Sequence, residues 1–314
     1  KFFNTMIYTY EKHTIYFWSF TLVLCALSTL VEYNNFDNYL SEINKICFFL
    51  ILVFGVMHGA LDDYKGKKLM RLWNIHKSYL FYLIYTLIAS LIIFLWWLIP
   101  GFTLFLFLIV ASFHFGKEDT EFFYAKKKIL DLFFYFLRGS LIVLAPLFFK
   151  FPETIDIFTK LFISESLTTF LSNIRLYISL LFILSLLSNL YFIFKGFENW
   201  LIVVFDLWSI LALNYFFPPV VAFTLYFCFL HSFRHTISLS YDLNPNNFAI
   251  GLKIFIKKAV ILTSITAALF IFATVMLVKY YGIDSSILKV IFIGLASLTF
   301  PHILLEYLLE KNEK

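Results

Sequence analysis

Long apolar runs, broken by short polar ones, dominate the pattern along the chain. Runs long enough to cross about 30 Å of hydrocarbon as helices fall at 14–31, 46–62, 79–99, 103–118, 129–149, 174–194, 200–217, 219–238, 257–279 and 287–308. The breaks have local causes: Pro100-Gly101 and Pro218-Pro219 each end one run and start another, and the polar stretch 242–247 marks a loop. The mixed-charge segment 150–173 reads as an interfacial connection. No linker or shift in composition divides the chain. The pattern predicts an all-α polytopic integral membrane protein, with residues 1–314 forming one transmembrane domain, a single bundle of about eight to ten helices. No small-residue cleavage site follows the first run, which is therefore expected to be a span and not a cleaved signal.

Composition supports this picture. Hydrophobic residues make up 61% and charged residues 14% of the 314 residues, against about 45–50% and 25% in soluble domains. Mean hydropathy is +0.85. A soluble fold could not hide that much apolar surface, so a soluble enzyme, a nucleic-acid-binding module and a secreted disulfide scaffold are all excluded, and membrane lipid is the expected surrounding. Cys25, Cys47 and Cys228 lie far apart in apolar sequence and form no CxxC, which argues against a thiolate site. Of the 25 basic residues, 17 fall on one side of the alternating spans and 6 on the other, with Arg138 and Arg234 inside spans. That bias places the N-terminus in the cytoplasm of a multi-pass protein of the inner or plasma membrane.

Seven histidines occur, and their positions carry most of the chemical information. His13 and His76 lie in polar flanks beside Lys12 and Lys77 and read as solvated interface residues. His58, His114, His231, His235 and His302 lie in apolar sequence, where a polar side chain is costly and marks function by default. All five sit on spans running toward the cytoplasmic side, the first four at similar depth. His231 and His235 are four apart and share one helix face. An ionisable residue also follows four positions on: Asp62 after His58, Glu118 after His114 and Glu306 after His302. Asp62 and Glu118 are placed to accept an imidazole N–H and fix its tautomer, with Asp63 and Asp119 as competitors. Gly59 and Gly116 would permit close helix approach. Neutral nitrogen donors without cysteine favour Fe, Cu, Zn or Ni over Mg or Ca. Four imidazoles on six-coordinate Fe(II) leave two positions open, whereas four on zinc close a tetrahedron.

GxxHGxxD at 55–62, FHFGxxD at 113–119, HSxRH at 231–235 and PH at 301–302 together resemble the Brp/Blh family of membrane β-carotene 15,15′-dioxygenases. The resemblance implies a non-haem Fe(II) enzyme that uses O₂ to cleave the central double bond of β-carotene into two all-trans-retinal molecules. It also implies iron ligands at His58, His114, His231 and His235, and a functional link to a retinal-binding opsin. His302 is expected beside the substrate or behind the ligands, with Asp62, Glu118, Asp119 and Glu306 as supporting acids. A tunnel for the polyene would draw its walls from Phe113, Phe115, Tyr226, Phe227, Phe229, Phe233 and Phe300. Arg234, costly at this depth, is expected to pair with a nearby acid or a lipid phosphate, structural pairing being favoured. Alternatives are a histidine-box desaturase or hydroxylase, disfavoured because only one HxxxH pair is present, a haem-b carrier, and a histidine-relay transporter.

Overall fold

The computed structural model describes residues 2–30, 36–124, 128–195 and 199–312, and every regular element among them is helical. In chain order these are α1 (Phe2–Leu30), α2 (Phe36–Leu50), α3 (Asp62–Leu72), α4 (Tyr79–Leu98), α5 (Pro100–Glu121), α6 (Ile129–Phe149) and α7 (Phe151–Lys160). They continue with α8 (Glu165–Asn173), α9 (Arg175–Lys195), α10 (Trp200–Phe216), α11 (Pro219–Leu225), α12 (Ser232–Leu243), α13 (Phe248–Tyr281) and α14 (Ile283–Asn312). Nine rods among the described residues are long and apolar enough to span a bilayer, and α10 is a shorter apolar helix. These ten match the ten apolar runs one for one. The chain is a multi-pass membrane protein. Segment 150–173 forms the short helices α7 and α8, outside the spanning set. Lys1, Lys126, Lys127 and Lys314 of the basic count lie outside the described residues.

Polarity is distributed as lipid demands. Leu83, Leu87, Leu91, Ile93 and Phe94 on α4, and Ile261, Ile265, Leu269 and Phe272 on α13, are exposed. The interior instead holds His58, Asp62, His114, Asp119, Asp206, Arg234 and His302, all buried. Charged groups in hydrocarbon are tolerated only where they meet one another inside a bundle, so the polar residues gather at the centre while apolar ones coat the outside.

Local features then aim the helices. Around Gly116 of α5 and Gly139 of α6 the two backbones touch: a Cβ on either glycine would overlap the other helix's carbonyl, that of Tyr135 or Ser112. Gly116 thus permits the close approach its motif suggests. Gly59 does not: a Cβ there would make only ordinary contact, 3.6 Å from Asp62 of its own segment. Two π turns, Ile51–Gly55 and Tyr226–His231, interrupt the rods that carry His58 and His231, and Gly55 packs on the Phe227 ring. Such single π turns often mark functional sites, because the extra residue redirects the side chains that follow.

Candidate metal centre

Five imidazoles from four rods meet at one point. His58 is central: its ring centroid lies 4.0 Å from that of His235, 4.7 Å from His231, 4.9 Å from His302 and 5.6 Å from His114. His114 in turn lies 5.2 Å from His231 and 5.4 Å from His302. All five are buried. The structure therefore brings together His58, His114, His231 and His235, and it places His302 among them where the sequence suggested a peripheral position. His76 is exposed, as expected. His13 differs from expectation: it is half-buried, its Nε2 lies 2.9 Å from the Phe229 carbonyl, and its ring stacks on Phe233. The apolar α11–α12 rod packs over α1 there and takes the ring out of the polar flank.

Carboxylates hold three of these rings from behind, but not those on the same helix. Nδ1 of His302 donates to both oxygens of Asp62, at 2.8 and 3.0 Å. Nδ1 of His231 donates to Asp119 at 3.0 Å, and Nδ1 of His235 to Glu118 at 3.1 Å. Neighbouring acids on α5 thus reach two histidines four apart on the α12 rod. The expected pairings Asp62–His58 and Glu118–His114 do not form. His58 lies in a 3₁₀ turn, Val56–Gly59, and Asp62 starts the next helix, so regular i,i+4 geometry is lost between them. His114 and Glu118 both face the bundle interior, where the acid meets the imidazole of the helix opposite. Asp63 points elsewhere and pairs with Lys67 and Tyr82. Glu306 bonds Lys65 at 2.6 Å, while its Oε1 lies 3.7 Å from Nε2 of His302 and 3.9 Å from Nε2 of His235. Lys65 is half-buried at this rim.

This donor set fits a metal ion. Nε2 of His231, His235 and His302 and both nitrogens of His58 are buried without a hydrogen-bond partner among the described residues. Leaving a buried polar atom unsatisfied costs about 1–3 kcal/mol, and four such rings packed together could share one partner. Ligand atoms of His58, His114 and His302 lie within 4.8 Å of one another, as do those of His235, His302 and Glu306. Two nitrogens each about 2.0–2.1 Å from one ion lie at most about 4.2 Å apart, so small side-chain rotations suffice. Anchoring Nδ1–H on a carboxylate fixes the tautomer and leaves the Nε2 lone pair facing the centre.

Phe115 packs edge-on to His231 with centroids 4.8 Å apart, and Phe227 lies 5.9 Å from His231 and 6.4 Å from His58. Tyr226 is not simply a wall: its hydroxyl donates to Asp119 at 2.6 Å. Phe229 and Phe233 pack with Phe54, Phe300 lies against the main core, and Phe113 faces a separate cluster around Tyr135 and Phe192. A cavity of about 280 Å³ adjoins the cluster, lined by Lys65, Glu118, Glu306, His231 and His235, among others. That chamber is polar.

A second buried cluster was not foreseen. Asp206 of α10 accepts from Arg138 at 3.0 Å and from Arg234 in bidentate fashion at 2.6 and 2.8 Å; Arg234 also donates to Thr14 at 2.7 Å. Arg234 finds the acid partner its depth demands. The overlooked signal was the balance of charge inside the spans: two buried arginines call for an acid, and run 200–217 contains Asp206.

Residues 49–310 match the protein family described as beta-carotene 15,15′-dioxygenase, a stretch that contains every histidine and carboxylate of the cluster. The chain is also similar to the beta-carotene 15,15′-dioxygenase of uncultured marine bacterium 66A03, with 29% identity over 269 residues, covering 82% of this chain and 90% of that protein. No solved structure matches.

Proposed function

This chain belongs to the β-carotene 15,15′-dioxygenase family and is a carotenoid cleavage dioxygenase, and from that premise we propose that it cleaves β-carotene at the central double bond, with O₂, at an Fe(II) held by His58, His114, His231 and His235. The observation that carries this is the convergence of buried imidazoles whose unpartnered nitrogens face one point. Iron, when bound, supplies the oxygen chemistry that amino-acid side chains lack.

The protein's own residues do the rest. Asp119 and Glu118 hold the N–H of His231 and His235, which fixes each ring's orientation and leaves Nε2 as the atom that would hold the metal. The Glu118–His235 and Asp119–His231 pairs also lock α5 to the α12 rod. β-Carotene is a hydrocarbon with nothing to hydrogen-bond, so positioning rests on apolar contact, which Phe115 and Phe227, packed against His231 and His58, offer. Cleaving a carbon–carbon double bond into two aldehydes needs no proton from the chain, consistent with acids that are all engaged behind imidazoles or with Lys65.

The test is expression in a cell that already accumulates β-carotene. Wild type is expected to bleach the orange colour and yield all-trans-retinal by chromatography, whereas unchanged carotenoid with the protein verifiably in the membrane would refute the reading. A product other than the symmetric C20 aldehyde would correct the cleavage position alone. The basic-residue asymmetry supports a cytoplasmic N-terminus, and labelling of single cysteines placed in alternate loops reads that orientation directly.

A further inference from the structure

We infer that His302 is a fifth imidazole ligand of the same metal ion; this rests on the metal reading above and adds to its ligand set. The reason is a structural arrangement built twice. Tyr226 donates to Asp119 at 2.6 Å, and Asp119 accepts from Nδ1 of His231 at 3.0 Å. Tyr85 donates to Asp62 at 2.8 Å, and Asp62 accepts from Nδ1 of His302 at 2.8 Å. Both tyrosine–aspartate–histidine chains end in a buried Nε2 with no partner among the described residues. Both histidines pack against His58, at 4.7 and 4.9 Å, and against His114, at 5.2 and 5.4 Å. Ligand atoms of His302 lie within 4.8 Å of those of His58 and His114. A residue that merely lined a hydrocarbon site would not need its tautomer fixed by a buried carboxylate, nor leave a lone pair facing the other imidazoles.

The consequence is a count. Five protein nitrogens on a six-coordinate ion leave one position for exchangeable ligands, where four leave two. The carboxylate behind His302 comes from α3, the only support of this kind described that does not come from α5. His302 therefore ties α14 and α3 into a centre otherwise built on α5, the His58 turn and the α12 rod.

The experiment uses the purified, chelator-stripped full-length protein titrated with Co(II), whose visible bands report ligand number and type. Wild type, His231→Gly, His302→Gly and Asp62→Asn are compared, with and without millimolar imidazole. His302→Gly is expected to match His231→Gly, with at least about tenfold weaker Co(II) binding, an altered band, and recovery of both on adding imidazole. Asp62→Asn is expected to weaken binding without abolishing it. A wild-type Co(II) band and affinity in His302→Gly, beside loss in His231→Gly, would overturn the fifth ligand and leave the four-histidine centre standing. Loss in His302→Gly that imidazole fails to restore, with Asp62→Asn silent, would also overturn it in favour of a packing role. If wild type takes up no Co(II), or His231→Gly binds as wild type does, the underlying metal reading fails instead.

Discussion

Two polar clusters lie inside this bundle, both resting partly on α12, and they solve opposite problems. Around Asp206 the charges close on themselves: one carboxylate takes three N–H bonds from Arg138 and Arg234. The arginine nitrogens left over, Nη1 of Arg138 and Nε of Arg234, are donors, and the guanidinium groups lie over Phe123, Phe192 and Phe122. Around His58 the leftover atoms are instead mostly imidazole lone pairs, the Nε2 atoms of His231, His235 and His302, gathered around the His58 ring. A cluster whose spare groups are hydrogen donors over aromatic faces is a structural pin. A cluster whose spare groups are converging lone pairs could hold a cation. Burial and polarity are alike in the two; what remains after the internal hydrogen bonds are counted tells them apart.

Substituting the centre of each cluster breaks that contrast most sharply. His58→Leu is expected to abolish retinal formation, with no product above the empty-vector background by chromatography. The metal-free protein is expected to melt at or above the wild-type temperature in detergent, because an imidazole with no hydrogen bond is replaced by an apolar group of similar size. A lowered melting temperature would show that the ring is held by partners beyond those seen. Asp206→Ala is expected to do the reverse. It strands two buried guanidiniums, at a cost of about 3–5 kcal/mol, so folded protein recovered from membranes falls steeply whether or not metal is supplied. Wild-type yield and melting temperature would remove the pin from the account.

A smaller effect sharpens the comparison from within the histidine cluster. Asp119→Asn keeps the shape but offers Nδ1 of His231 a weaker, neutral acceptor. Metal affinity is expected to drop about 10–100-fold, read by metal titration, with restoration of activity at high iron. A loss of folding comparable to Asp206→Ala would mean that Asp119, too, serves chiefly as a pin, which its closeness to Tyr226 and His231 in one chain of bonds makes testable.

What was legible in the sequence follows the same division. The spans could be read because lipid leaves the backbone no choice but helix, and helices of that length leave apolar runs. The five histidines could be read because imidazoles in such runs are costly. The pairing of acid to imidazole could not, since it crosses between helices: 118 and 119 are neighbours in sequence yet serve two histidines on another rod, and Asp62 serves a residue 240 positions away. His302 reads in sequence only as a residue beside the substrate or behind the ligands, because its position along its own run hides how the rod is rotated. Asp206 passed unnoticed because a single acid in an apolar run gains meaning only beside the arginines it neutralises.

The smallest expected effects concern two glycines that the sequence presents as equals, each beside a cluster histidine. At Gly116 a methyl group would be driven into the Tyr135 carbonyl, a backbone atom that cannot turn aside. Gly116→Ala must therefore push α6 off α5, at a cost of about 1–3 kcal/mol, and displace Glu118 and Asp119 from the imidazoles they hold. At Gly59 the same methyl meets only the Asp62 carboxylate at 3.6 Å, and Gly59→Ala is expected to stay within about 0.5 kcal/mol of wild type. Melting temperature and cobalt affinity measured on the two variants together decide the matter. Equal losses would mean that small size near the histidines matters in itself; a loss confined to Gly116→Ala would show that the α5–α6 crossing sets the distance from carboxylate to ring.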